Sequence, residues 1–209
     1  MLKPQEALDR AHNLVSQAIK AGADAADAVY VCDASTDVQV RLGQLEDVAR
    51  SEGEDIGLRV FVGQRSATIS SSNMNPDILA GLVARAIDMA KEAPEDQYAG
   101  LAPHDRLLMG AIPDFDGDDG QDPDPAVLRA AALECEDAAR AVPGVTNSEG
   151  AGASASRSIF ALATSHGFAG VKAGSGYGIS ASVLSGDGDA KERDYDWRSA
   201  RHLADLASP

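Results

Sequence analysis

Cysteine is nearly absent from this chain of 209 residues: Cys32 and Cys135 stand alone. Neither the CxxC spacing of a zinc knuckle nor the clustered, even count of a disulfide scaffold is present, which fits a reducing cytoplasm. Aromatic residues are also scarce, at 4% within a hydrophobic total of 44%. The core must therefore be built from Ala, Val, Leu and Ile, with helices packed closely on small side chains. No run approaches the ~18 apolar residues of a membrane span, and the opening MLKPQEALDR is charged and periodic where a signal peptide is apolar. Positive charge is short as well: 18 basic against 33 acidic residues leave a formal charge of -15. That charge repels phosphate backbones and anionic headgroups, so neither nucleic acid nor membrane is an expected partner, whereas basic protein surfaces are.

What is present reads as an α+β chain. From Pro4 to Ala21, Ala7, Leu8, Ala11, Leu14, Val15, Ala18 and Ile19 recur at helical spacing, and Gly22 follows as a stop. The period then changes. Val38, Val40 and Leu42 alternate with polar residues, as do Ile56, Leu58, Val60 and Val62, which predicts strands with one wet face. Asp33 to Thr36, Gly43-Gln44 and Gly63-Gln64 punctuate them at hairpin intervals, so the pairing is expected to be antiparallel. Asn75-Pro76 offers an N-cap and an N1 proline to a second helix carrying Ile78, Leu79, Leu82, Val83, Ala86, Ile87 and Ala90. Residues 1–112 thus form a first domain, and a connector rich in Asp, Gly and Pro runs to about 122. Residues 123–209 form a second, in which a helix opening at Asp124-Pro125 turns Val127, Leu128, Ala131, Leu133 and Cys135 inward. Strands follow around Thr146, Ile159 to Ala163, and Phe168 to Leu184. The architecture expected is two small domains, each with antiparallel strands against one or two helices. Ser208-Pro209 is a helix-start signal with no helix after it, which suggests truncation.

No complete catalytic or metal motif emerges. Asp114, Asp116, Asp118 and Asp119 resemble a calcium loop, but the glycine position falls on Asp119 and the bidentate glutamate position on Pro125, so a solvated linker is the expectation. Gly174, Gly176 and Gly178 look like a phosphate cradle, yet a strand-like run follows where a helix N-terminus is needed. His12, His104, His166 and His202 open no HExxH-type spacing, and Gly152-Ala-Ser154-Ala-Ser156 lacks the closing glycine of a nucleophile elbow. The run Lys191 to Arg198 holds the lone tryptophan, Trp197, beside Tyr195 and alternating charges. It reads either as a docking edge or as an ordinary solvated strand.

Several stretches, in order, resemble the TldD/PmbA family, historically called modulators of DNA gyrase, and its PmbA (TldE) branch more closely than TldD. They are Arg41 to Val48, Gly57 to Arg65 with Ser70 to Ser72, Ala99 to Leu101, Ile112 to Asp116, Thr146 to Gly150, Ser165 to Phe168 and Glu192 to Tyr195. The resemblance implies the first and middle domains of a longer protein that continues into a β-rich C-terminal domain. It also implies a cytoplasmic heteromeric peptidase in which a TldD-type catalytic subunit carries zinc on an HExxxH helix while the PmbA-type subunit lacks it. Such complexes are implicated in maturing a peptide antibiotic precursor and in degrading an antitoxin. The expectation is thus a non-catalytic subunit, with no catalytic, cofactor or metal residues of its own. Its partners would be a TldD-type subunit, flexible peptide substrates and, as a further option, a second copy in a homodimer. The alternative is a stand-alone interaction module acting on gyrase or a toxin-antitoxin system.

Overall fold

The computed structural model describes residues 3–108 and 110–208. Helix α1 spans Pro4–Lys20 and opens with the Glu6 carboxylate accepting the Lys3 N–H at 3.0 Å. Strands β1 (Ala25–Arg41), β2 (Gln44–Val62) and β3 (Arg65–Ser71) follow, and then α2 (Pro76–Glu92). Helix α3 (Pro125–Arg140) precedes β4 (Val145–Thr164), β5 (Ala169–Ser185) and β6 (Glu192–Ala200). Single 3-10 turns lie at His104–Arg106, Gly188–Ala190 and Leu203–Asp205. The strands form one sheet in the order β3-β2-β1-β4-β5-β6. β2 and β3 pair antiparallel from Ile56 opposite Ser71 to Val62 opposite Arg65, and β5 and β6 from Tyr177 opposite Ala200 to Ser185 opposite Glu192. The α+β class, helices laid on antiparallel strands, is therefore what the chain adopts.

Local chemistry sets the helix boundaries. Asn75 and Asp124 both accept the N–H two residues on, from Asp77 at 2.9 Å and Ala126 at 2.8 Å, each followed by a proline whose missing N–H costs nothing at N1. Gly22 closes α1 at φ +103°, a backbone state that glycine adopts without steric penalty.

The chain forms two compact units, each assembled from three stretches. The first takes residues up to Cys32, Gly53–Phe115 and Ile159–Ala173; the second takes Asp33–Glu52, Asp116–Ser158 and the chain from Gly174 onward. Strand length explains the discontinuity. A strand of about 17 residues at ~3.3 Å each reaches roughly 55 Å, about twice the length of a helix of similar count at ~1.5 Å per residue. One strand thus contributes to two cores. In the first unit, α1 and α2 bury Leu14, Val15, Leu82, Val83 and Ile87 against Tyr30, Ile56, Leu58, Val60 and Ile159. In the second, α3 buries Leu128, Ala132 and Cys135 against Val38, Val40, Ala153, Tyr177 and Ile179.

Three local expectations need correction. Asp33 to Thr36 is no turn but the middle of β1, and Thr36 is buried and accepts a hydrogen bond from Arg50 at 2.9 Å. Leu42 is not an inward strand residue; it sits in the β1–β2 turn at φ 50° and is exposed. On α3, Val127 faces solvent, and the inward positions are Leu128, Ala132, Cys135 and Glu136. Pro209, half of the helix-start signal, lies outside the described residues.

Candidate functional site

Glu136 is the most unusual of the buried groups, a carboxylate with no exposed surface on the apolar stripe of α3. It accepts the N–H groups of Leu42 and Gly43 at 2.7 and 2.8 Å and the Ser148 hydroxyl at 2.5 Å. Burial alone would push its carboxyl up, but these three donors outweigh it and hold the carboxyl below its usual range. Two oxygens facing two consecutive N–H groups fix the β1–β2 turn onto α3. The arrangement is structural chemistry: all donors are satisfied and no acid or base is held ready.

The aspartate-rich stretch also departs from expectation. Asp118 forms a two-pronged ion pair with Arg157, with nitrogen–oxygen distances of 3.0 and 2.7 Å, which holds its carboxyl low. Asp119 accepts the Tyr177 hydroxyl at 2.6 Å and the Leu203 N–H at 2.8 Å. Burial pushes the Asp119 carboxyl up, and the hydrogen bonds from Tyr177, Leu203 and Gln121 override it, down to about 2. The Tyr177 phenol is pushed up to about 12 by burial and by that same carboxylate. Asp118 and Asp119 are thus consumed by protein donors rather than left free as calcium-type ligands, and this part of the linker is a tie, not a solvated loop.

Gly174, Gly176 and Gly178 lie inside β5, as a strand reading requires. A Cβ at Gly176 or Gly178 would approach Ser156 Oγ or Ser154 Oγ at 3.2 or 3.1 Å, so these glycines let hydroxyls of β4 sit close to the neighbouring backbone.

Two of the four histidines meet, and no three form a metal-binding group among the described residues. His12 is exposed on α1, and His202 engages the Asp116 carbonyl at 3.0 Å. His104 and His166 stack with ring centroids 5.0 Å apart, and His166 Nδ1 lies 3.1 Å from the Ala102 carbonyl. Among the described residues no group of three His, Cys, Asp or Glu could hold a metal ion. Both cysteines are buried and free, and burial followed by nearby acidic charge pushes the Cys135 thiol up, away from nucleophile chemistry.

Two surfaces are left for interaction. The run Lys191 to Arg198 forms most of β6, the last strand in the sheet order, so one of its backbone edges has no strand partner among the described residues. Tyr195 and Trp197 are exposed on it, 63% and 62%. In the first unit, residues 100–102, 106–108, 112, 113 and 115 border two adjoining hollows that share Leu108, Leu162 and Phe168 as walls.

The fold defines the class only as an antiparallel α+β protein, and among its described residues no three His, Cys, Asp or Glu form a group that could hold a metal ion. Comparison with known proteins narrows that class. Residues 26–90 match the PmbA/TldA metallopeptidase domain 1, and residues 118–208 match the PmbA/TldA metallopeptidase central domain. The chain belongs to the PmbA/TldD family. It is 32% identical over 196 residues to a metalloprotease PmbA homolog of Haemophilus influenzae and 28% identical over 200 residues to the metalloprotease PmbA of Escherichia coli O157:H7. These alignments cover 93% of this chain but 43% and 44% of those relatives, so the chain spans less than half of their length. Among solved structures, a protein from Bacteroides thetaiotaomicron described as a modulator of DNA gyrase superposes with a TM-score of 0.88 at 21% identity, over 100% of this chain and 48% of that one. TldE from Thermococcus kodakarensis gives 0.76 at 16% identity, over 93% and 43%. At these identities the structures establish a shared fold.

Proposed function

We propose that this chain is the first and middle part of a non-catalytic, PmbA-type subunit of a zinc-dependent peptidase assembly, supplying association surfaces and part of an enclosure for flexible peptides. The observation that carries the reading is the likeness to PmbA-type proteins, with which the chain shares two successive domains. Among the described residues the chain gathers no three His, Cys, Asp or Glu able to hold a metal, and its carboxylates at Asp118, Asp119 and Glu136 are saturated by protein donors. These residues do not fit a zinc site, and in this reading a TldD-type partner holds the zinc. The open edge of β6, with Tyr195 and Trp197 beside it, is suited to pairing with an extended segment, which needs only backbone donors and acceptors. The net charge of -15 supports protein rather than nucleic acid as the partner. Among the described residues no helix is long and apolar enough to cross a membrane.

The test is direct. The purified chain, assayed with unfolded casein and analysed for metal, is expected to bind no stoichiometric zinc and to cleave nothing. Chelator-sensitive cleavage by this chain alone would place the chemistry here and sink the proposal.

A further inference from the structure

We propose that the two adjoining hollows of the first unit form one docking groove for an extended acidic peptide, which seats a bulky apolar side chain in one lobe and a carboxylate in the other. The first lobe, of about 390 Å³, is walled by Leu108, Phe115, Phe160, Leu162 and Phe168, with Lys172 its only charged residue. Phe115 and Phe160 remain 54% and 46% exposed, although each lies against a cavity that an apolar group would fill. The second lobe, of about 330 Å³, shares Leu108, Leu162 and Phe168 with the first and adds Asp27, Arg59 and Arg106.

The groove is built into the backbone. Gly170 on β5 lies beneath it, and a Cβ there would collide with Ile112 and the Phe168 ring, so glycine is what lets Ile112 approach the strand. Lys172 stands 3.6 Å over the Phe115 ring and holds that wall by cation–π attraction.

Charge selects the occupant. The chain carries 33 acidic against 18 basic residues, yet the groove reverses that balance with Arg59, Arg106 and Lys172 against Asp27 alone. Arg59 is committed to Asp27, whereas neither Arg106 nor Lys172 has an ion pair among the described residues. Asp105 and Asp114 are exposed and line neither lobe. Two cations with no ion pair among the described residues, beside an apolar slot, complement a carboxylate next to a large apolar side chain and repel a basic one.

This inference deepens the peptide-enclosure part of the proposed function and rests on it only for the class of ligand. Because it is measured as binding, a missing catalytic partner does not affect the result. The experiment is fluorescence anisotropy with a labelled, amidated peptide alternating phenylalanine and glutamate, compared with phenylalanine–lysine and serine–glutamate peptides. Saturable binding at least about tenfold tighter than to either control is expected. Arg106→Glu should weaken it about tenfold and shift preference to the lysine peptide, and Phe160→Ser should weaken it comparably. Both positions are solvent-exposed, and circular dichroism of each variant checks that the fold is kept. Failure to bind, equal affinity for the glutamate and lysine peptides, or binding indifferent to both substitutions overturns the proposal. So does a dimer that the same substitutions disperse, since the groove's occupant would then be a second copy.

Discussion

The two units solve the same packing problem with different materials. The first closes two helices over its strands and fills the space with Leu14, Ile56, Leu58, Val60, Leu82 and Ile87. The second has one helix, α3, and among the described residues a smaller apolar cluster, with Val38, Val40, Leu128, Tyr177 and Ile179 beside Ala151, Ala153 and Ala155. What the second lacks in hydrocarbon it supplements with directed bonds: Glu136 to the β1–β2 turn, Asp118 to Arg157, and Asp119 to Tyr177 and Leu203. The first has a polar tie too, Tyr30 donating to Glu54 at 2.5 Å beside Arg10, but it lies against a core already filled. A unit with a smaller apolar cluster thus leans on geometry-dependent contacts, and such contacts respond to pH where hydrophobic burial does not.

The largest expected effect is in the first unit. Leu58→Ala removes a fully buried side chain and should cost about 3 kcal/mol, read as a lowered urea midpoint and little altered between pH 5 and pH 8. Next, Glu136→Ala strands two N–H groups and a hydroxyl and should cost about 2 to 3 kcal/mol, almost as much as the core deletion. If it proves neutral, the second unit is held by its apolar contacts and the contrast fails. A smaller effect belongs to acid titration. Asp118, Asp119 and Glu136 all have folded carboxyls below their ordinary values, so the stability they contribute is complete above about pH 5. It is lost as pH falls through the folded values, for Asp119 toward about 2. Thermal unfolding followed from pH 5 to pH 2 should show Tm falling, and Asp119→Asn should flatten that fall. On the alkaline side, Tyr177 has a raised folded value, so its contribution is intact below about pH 10 and lost as pH rises through about 12. Tyr177→Phe should remove that limb of the Tm profile. The smallest effect is at the surface: Lys91→Ala breaks an exposed pair with Asp88 and should leave Tm unchanged within error.

Helices were the most legible part of the fold, because Asn75-Pro76 and Asp124-Pro125 encode their starts in adjacent residues and the 3.6-residue period marks their buried faces. Strand alternation at Ile56, Leu58 and Val60 was equally plain. The length of β1 was not, since Asp33 to Thr36 has turn composition and only the burial of Thr36 and its Arg50 partner show a strand passing through. Glu136 could have been found: it falls four residues after Ala132 and eight after Leu128, a carboxylate on an apolar stripe. Its partners lie about a hundred residues away at Leu42 and Gly43, and no local pattern carries that pairing. The groove of the first unit was hidden for the same reason. Its walls come from the connector and from β4 and β5, and the connector's composition gave no sign that Ile112 settles over Gly170.

The most direct test of the central claim is affinity co-purification of the full-length protein with its cellular partners, followed by zinc analysis of each separated chain. The account predicts zinc on a co-purifying TldD-type chain and none on this one. Zinc on this chain, or the absence of any such partner, would contradict it.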